Sequence, residues 1–205
     1  MGSLRRQSQI GRAVWALAGR QHGIITRRQL LDLGVHVKAI DHRLGNGRLH
    51  RVRRGVYALG SPALTREAHW MAAVLYCAPE AYLSHGSAAE LWGIAGSQGG
   101  LWGISGSPGG ARGAAQRDAL RRAPALPVHV SLARDVSLRA GGIRLHRPSL
   151  LLPEDRSLRD GIPVTSPART LIDLAAELDG WRLERAVNEA DRLGLIDPEA
   201  LRSAV

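Results

Sequence analysis

The stretch GIITRRQLLDLGVHVKAIDHRLGNGRLHRVRRGVYAL, residues 23–59, decides how this chain reads. Gly23-Ile24-Ile25 is a short extended piece. Thr26 then offers an N-cap hydroxyl to a helix expected over 27–33 and closed by Gly34. A second helix is expected over 35–44, with Val37, Ile40 and Leu44 on one inward face at i, i+3, i+7. Gly45-Asn46-Gly47 stops it, and two β-prone runs, 49–53 and 56–59, meet at Arg54-Gly55 as a hairpin. Upstream, Ile10, Val14, Leu17 and Ala18 carry helical spacing over 10–21. Three short helices and then a hairpin is the order of a winged helix-turn-helix, placed here at residues 1–60. The alternation in the wing is ambiguous. Val52 and Val56 argue for one phase and Leu49 and Tyr57 for the other, so the outward arginines of the hairpin stay undecided.

Charge follows the same division. Residues 1–60 hold 12 Lys and Arg against Asp32 and Asp41, a net of +10, while residues 61–205 hold 16 Arg against 16 acids. A general arginine bias would raise both parts alike. A cationic headpiece on a neutral body is the layout of a protein that meets a polyanion with one end. In a winged helix-turn-helix the second helix of the motif enters the major groove. With Val37, Ile40 and Leu44 inward, His36, Lys38, Ala39, Asp41, His42 and Arg43 are left outside. Lys38 and Arg43 are the expected base readers, assisted by His36 and His42. Arg27, Arg28, Arg48, Arg51, Arg53 and Arg54 are the expected phosphate contacts. Six such contacts predict a slope of about −5 in log K against log salt.

The remainder, 61–205, reads as mixed α+β. A helix is expected from Thr65 to the residue before Pro79, with the lone Cys77 as a small core hydrophobe. Ser87-Ala88-Ala89-Glu90 fits a capping box for a helix ending by Gly93, with Ser84 a further cap candidate. LWGIAGSQGG and LWGISGSPGG, residues 91–110, are a tandem duplication identical at eight of ten positions, expected as a Gly-rich loop over 93–113 with Trp102 the copy of a core Trp92. Strands are expected at 128–132 and 143–146, separated by a turn containing Gly141-Gly142, with 162–165 a third. Ser166-Pro167 opens a helix through Leu178, another covers 181–193, and Asp197-Pro198 caps a last short one.

Several segments resemble the AbiEi-family antitoxins and transcriptional regulators of type IV toxin–antitoxin systems, of the actinobacterial type. They are residues 23–35, residues 47–59 with Gly-Val-Tyr at 55–57, the run 83–93 beginning Leu-Ser-His-Gly, and the run 163–175. The resemblance implies a headpiece that binds duplex DNA at the protein's own promoter and represses it. It further implies a second domain that counteracts a nucleotidyltransferase-like toxin.

Other function classes find little support. Lys38 is the only lysine, which removes a P-loop lysine, and no Gly-x-Gly-x-x-Gly occurs among 24 glycines. One Cys and no His-Glu-x-x-His argue against zinc, so no metal or cofactor is expected. Ser84 beside His85 suggests a nucleophile and base, but neighbours at a helix start seldom face each other, so catalysis is not expected. Arg169 and Asp173 at i, i+4 read as an ion pair, and His129 and His146 as sheet residues. With no apolar run of membrane-spanning length and no secretory leader, a cytoplasmic protein is expected. Two alternatives remain open: a protein-binding module without a cognate toxin, and the front part of a longer protein carrying a Vsr-like nuclease-fold domain.

Overall fold

The computed structural model describes residues 2–77, 79–94, 127–132 and 141–197. The expected Gly-rich duplication beyond residue 94, with Trp102, and the expected C-terminal helix after Asp197 lie outside the described residues. Two compact units are present, Met1–Ala81 with Asp160–Ile162, and Tyr82–Arg159 with Pro163–Val205. Compactness thus groups residues 61–81 with the headpiece, whereas charge divided the chain at residue 60.

The first unit runs α1 (Gly2–Arg20), β1 (Ile24–Thr26), α2 (Arg27–Asp32), α3 (Val37–Gly45), β2 (Leu49–Arg53), β3 (Val56–Leu59) and α4 (Arg66–Cys77). Its three strands pair antiparallel in the order β1-β3-β2. Side chains alternate across a strand, and here both sides are covered. On one side Ile25, Leu49 and Tyr57 join Val14, Ala18, Leu30, Val35 and Ile40 in one buried cluster. On the other, Ile24, Val56 and Ala58 are buried where α4 packs against all three strands. Covering both faces explains the ambiguous alternation of the hairpin, because each phase carries a true apolar face.

The apolar face of α3 differs from expectation. Val37 is 45% exposed, while Ile40 is buried and Leu44 and Ala39 pack at the edge of the core. Val35, just before the helix, takes the inward place given to Val37. With His36 as N-cap, Val35 and Ile40 stand at the N′ and N4 positions of a hydrophobic staple, both in the cluster. Burying two aliphatic side chains this way contributes roughly 1.5–3 kcal/mol each.

The second unit is α+β. Its elements are β4 (Ala81–Leu83), α5 (His85–Trp92), β5 (Val128–Leu132), β6 (Ile143–His146), β7 (Arg156–Arg159), β8 (Ile162–Thr165), α6 (Pro167–Ala175) and α7 (Gly180–Arg192). Five strands make one sheet in the order β6-β5-β4-β8-β7. β5 and β6 pair in parallel, Val128 opposite Ile143 and Ser131 opposite His146, so they do not form a hairpin. β4 is likewise parallel to β8. Ser166 caps α6 by accepting from the Arg169 N–H, with Pro167 at the first helical position. Trp92 is buried and donates from Nε1 to the Thr165 carbonyl at 2.9 Å.

α5 begins at His85 with Ser84 as its N-cap residue, as the sequence suggests, but Ser87, where a capping box was expected, lies inside the helix and accepts from the His129 N–H at 3.0 Å. Ser84 makes no capping bond with its side chain; its Oγ lies 3.1 Å from His85 Nδ1. These neighbours do face each other, because His85 holds a left-handed backbone, φ +48°, which turns its ring back.

Candidate nucleic-acid interface

The helix pair α2–α3 and the β2–β3 hairpin form a surface built from local chemistry. Thr26 and Gln29 exchange bonds at the start of α2: Thr26 Oγ1 accepts from the Gln29 N–H at 3.1 Å, and Gln29 Oε1 accepts from the Thr26 N–H at 2.9 Å. The Gln29 amide also pairs with that of Gln21, whose Nε2 donates to the Ile24 carbonyl. One further bond, from the Arg27 N–H to the Gly55 carbonyl at 2.8 Å, joins the entry of α2 to the turn of the hairpin. Arg27, Arg28 and Arg54 therefore share one edge of the unit.

On α3 the exposed residues are Val37, Lys38, Asp41, His42 and the terminal Gly45, with His36 exposed at the N-cap. At 100° per residue, positions 37, 38, 41 and 42 fall on one stripe opposite Ile40. His42 Nδ1 lies 3.4 Å from Asn46 Nδ2 at the C-terminal end. Arg43 is not on this stripe. It is half-buried, and its Nη1 is enclosed by the protein with no hydrogen-bond partner. The expectation that Arg43 and Ala39 flank the outer surface is therefore corrected by about a third of a turn. Val37 is the residue that sequence reasoning missed. The signal was the paired Val35 and Val37, of which only one can be inward.

The arginines of the hairpin divide. Arg48, Arg51 and Arg54 are exposed. Arg53 is half-buried, with its guanidinium 5.7 Å from the centre of the Tyr76 ring of α4. Burial pushes its pKa below the ordinary arginine value. A bulge causes this. Arg51 pairs with Tyr57, yet Arg53 pairs with Val56, so Val52 is an extra residue in β2. Strict alternation would put Arg53 beside Arg51; the extra residue turns it onto the α4 face with Val56. Arg28 lies 4.0 Å from Asp32, a solvated pair that holds it weakly. Lys38 thus lies in the stripe of α3, and Arg28, Arg48, Arg51 and Arg54 are exposed on α2, before β2 and in the hairpin, with Arg27 half-exposed at the start of α2.

Residues 12–60, which span this surface, match the family described as transcriptional regulator, AbiEi antitoxin. That match covers two of the four segments on which the resemblance rests, 23–35 and 47–59, and does not reach 83–93 or 163–175. No curated protein matches the chain. Among the described residues no helix is long and apolar enough to cross a membrane.

Outside the matched residues, the second unit brings together three imidazoles that the sequence left in unrelated places. One ring nitrogen from each of His85, His129 and His146 lies within 4.8 Å of the other two. His146 Nε2 and His129 Nδ1 are 3.1 Å apart, and the His85 and His146 rings stack with centroids 3.5 Å apart. In the parallel register, positions 129 and 131 share a face, and His146 pairs with Ser131, so β5 and β6 present both histidines to the start of α5. Burial, then the charge of the neighbouring imidazoles and Arg144, holds all three rings well below the ordinary histidine range. His85 falls to about 3 and His129 to about 4; His146, where Arg144 follows burial, also falls to about 4. Asp173 lies behind His85, its Oδ2 3.7 Å from Nδ1, and is held by Arg169 Nε at 2.9 Å. Burial raises the Asp173 pKa against the pull of Arg169. These residues could hold a metal ion. No local motif signals them, since one ligand comes from a helix start and two from neighbouring strands.

Proposed function

We propose that residues 1–60 are a winged helix-turn-helix that binds duplex DNA, with α3 in the major groove and the β2–β3 hairpin as its wing. In this reading the chain is a cytoplasmic DNA-binding antitoxin that represses its own promoter and neutralises a nucleotidyltransferase-like toxin. The observation that carries the DNA-binding part is the exposed stripe of α3, with Lys38 in it and exposed arginines on the adjoining α2 and hairpin. The AbiEi match at residues 12–60 supports the regulatory part. Lys38 and His42 read base edges, with His36 beside them. Val37 meets a thymine methyl, and Asp41 accepts from a cytosine amino group. Arg27, Arg28, Arg48, Arg51 and Arg54 hold phosphates and set the register. Arg43 supports α3 from its flank, and Arg53 braces the wing against Tyr76.

Fluorescence anisotropy with the DNA upstream of the protein's own reading frame, against a scrambled duplex, tests the reading. The expected preference is at least about 10³-fold. Five phosphate contacts predict a slope of about −4.5 in log K against log salt. Equal affinity for both duplexes would remove sequence-specific repression. Co-expression with the adjacent gene tests the antitoxin part, which requires that gene to be toxic alone and harmless with this chain.

A further inference from the structure

We propose that the second unit binds one divalent transition-metal ion, of the zinc type, through His85, His129 and His146. A four-coordinate zinc site with Zn–N bonds of about 2.0–2.1 Å has nitrogen–nitrogen edges of roughly 3.3 Å. The 3.1 Å between His146 Nε2 and His129 Nδ1 is already close to such an edge. The third ring stands within 4.8 Å, and rotation about its soft terminal torsion brings it in while unstacking it from His146.

The surroundings of His85 fit a ligand better than a packing residue. Its backbone is left-handed, a strained conformation of the kind that collects at functional sites. That conformation turns Nδ1 to Ser84 Oγ at 3.1 Å and to Asp173 Oδ2 at 3.7 Å, so Nε2 is the nitrogen it presents to an ion. Metal-bound histidines regularly give their other N–H to a carboxylate. Asp173 Oδ2 is buried without a hydrogen-bond partner and faces that N–H, while Oδ1 is held by Arg169. Three nitrogen ligands leave a fourth position for water or for a group from a partner, and an all-imidazole set suits zinc, nickel and copper over magnesium or calcium.

The test uses the full untagged chain, stripped with EDTA and titrated with ZnCl2 by calorimetry and with Co2+ by visible absorption. The expected result is one ion per chain and the intense visible bands of four-coordinate Co2+. His129→Asn and His146→Gln each abolish those bands, and Asp173→Asn weakens binding by about 10–100-fold. His42→Ala, on the exposed stripe of α3, leaves binding unchanged. Failure of the wild-type chain to take up one equivalent, or uptake equal in His129→Asn and His146→Gln, overturns the proposal. So does loss of uptake in His42→Ala. Should the ligand variants fail to fold, imidazole NMR of the wild-type chain decides: Zn2+ must shift the signals of three histidines together at one equivalent, and shifts confined to His36 and His42 overturn it.

Discussion

Thr26 shows how much one side chain can settle. Its hydroxyl and the Gln29 amide satisfy two backbone donors at the start of a helix of only six residues. Thr26→Ala should cost about 1 kcal/mol of stability in urea unfolding, and Thr26→Ser far less. The Thr26 cap was legible because an N-cap is a local signal, whereas the reciprocal bond from Gln29 was found only in the structure. The side-chain directions of Val37, Arg43 and Arg53 were not legible. Each depends on where a helix starts or a strand gains a residue, and neither is a property of the residue itself. The two neighbouring arginines of the hairpin make that testable. On the proposed docking, Arg54→Ala should lower the magnitude of the salt slope by about 0.9, the share of one phosphate contact. Arg53→Ala should leave the slope unchanged and cost about 0.5–1 kcal/mol of stability through its lost place over Tyr76. The reverse pattern would place Arg53 at the DNA and overturn the bulge as the reason for its direction.

Among the elements, most helices and the strands at 128–132, 143–146 and 162–165 followed from periodicity and turn chemistry, while α1 begins at Gly2 rather than residue 10, and β4, β7 and the pairing of the second sheet did not follow. β4 is three residues long, and β7 reads Arg-Ser-Leu-Arg, so neither carries a usable alternation. The parallel pairing of β5 with β6 is a tertiary choice that a short separation does not announce. Turns whose glycines are required offer a sharper check. Gly55, at φ +76° in the hairpin turn, has open space where a Cβ would stand. Gly161, at φ +77°, would place a Cβ 2.7 Å from the Arg20 carbonyl oxygen. Gly55→Ala should therefore cost about 1–2 kcal/mol, the backbone penalty alone. Gly161→Ala should cost distinctly more in the same urea unfolding measurement, because a carbonyl must also move. Equal costs would mean that the Arg20 carbonyl yields freely.

Across the whole molecule, the charge division was the feature most open to reading, since it needs only counting. Its consequence is that arginines of the neutral part should not contribute to the salt dependence. Arg185→Ala with Arg192→Ala, both on α7, should leave the salt slope of DNA binding unchanged within the error of an anisotropy titration. A fall of one or more in its magnitude would give the body a share in the interface. Arg192 is already committed to Glu189 at 2.6 Å, and Arg185 lies over Trp181. The histidine cluster marks the opposite limit. His85, His129 and His146 are 44 and 17 residues apart in sequence and meet only when a helix start settles on a parallel strand pair. No spacing rule spans such gaps.

The bond from the Arg27 N–H to the Gly55 carbonyl fixes the distance between the hairpin tip and the helix pair before any duplex arrives. A sheet packed on both sides gives that tip little freedom to adjust. The headpiece therefore behaves as a rigid caliper. On the proposed docking, the adjustment falls to the nucleic acid, so sequences whose grooves already have the right width are favoured even at steps that no side chain touches.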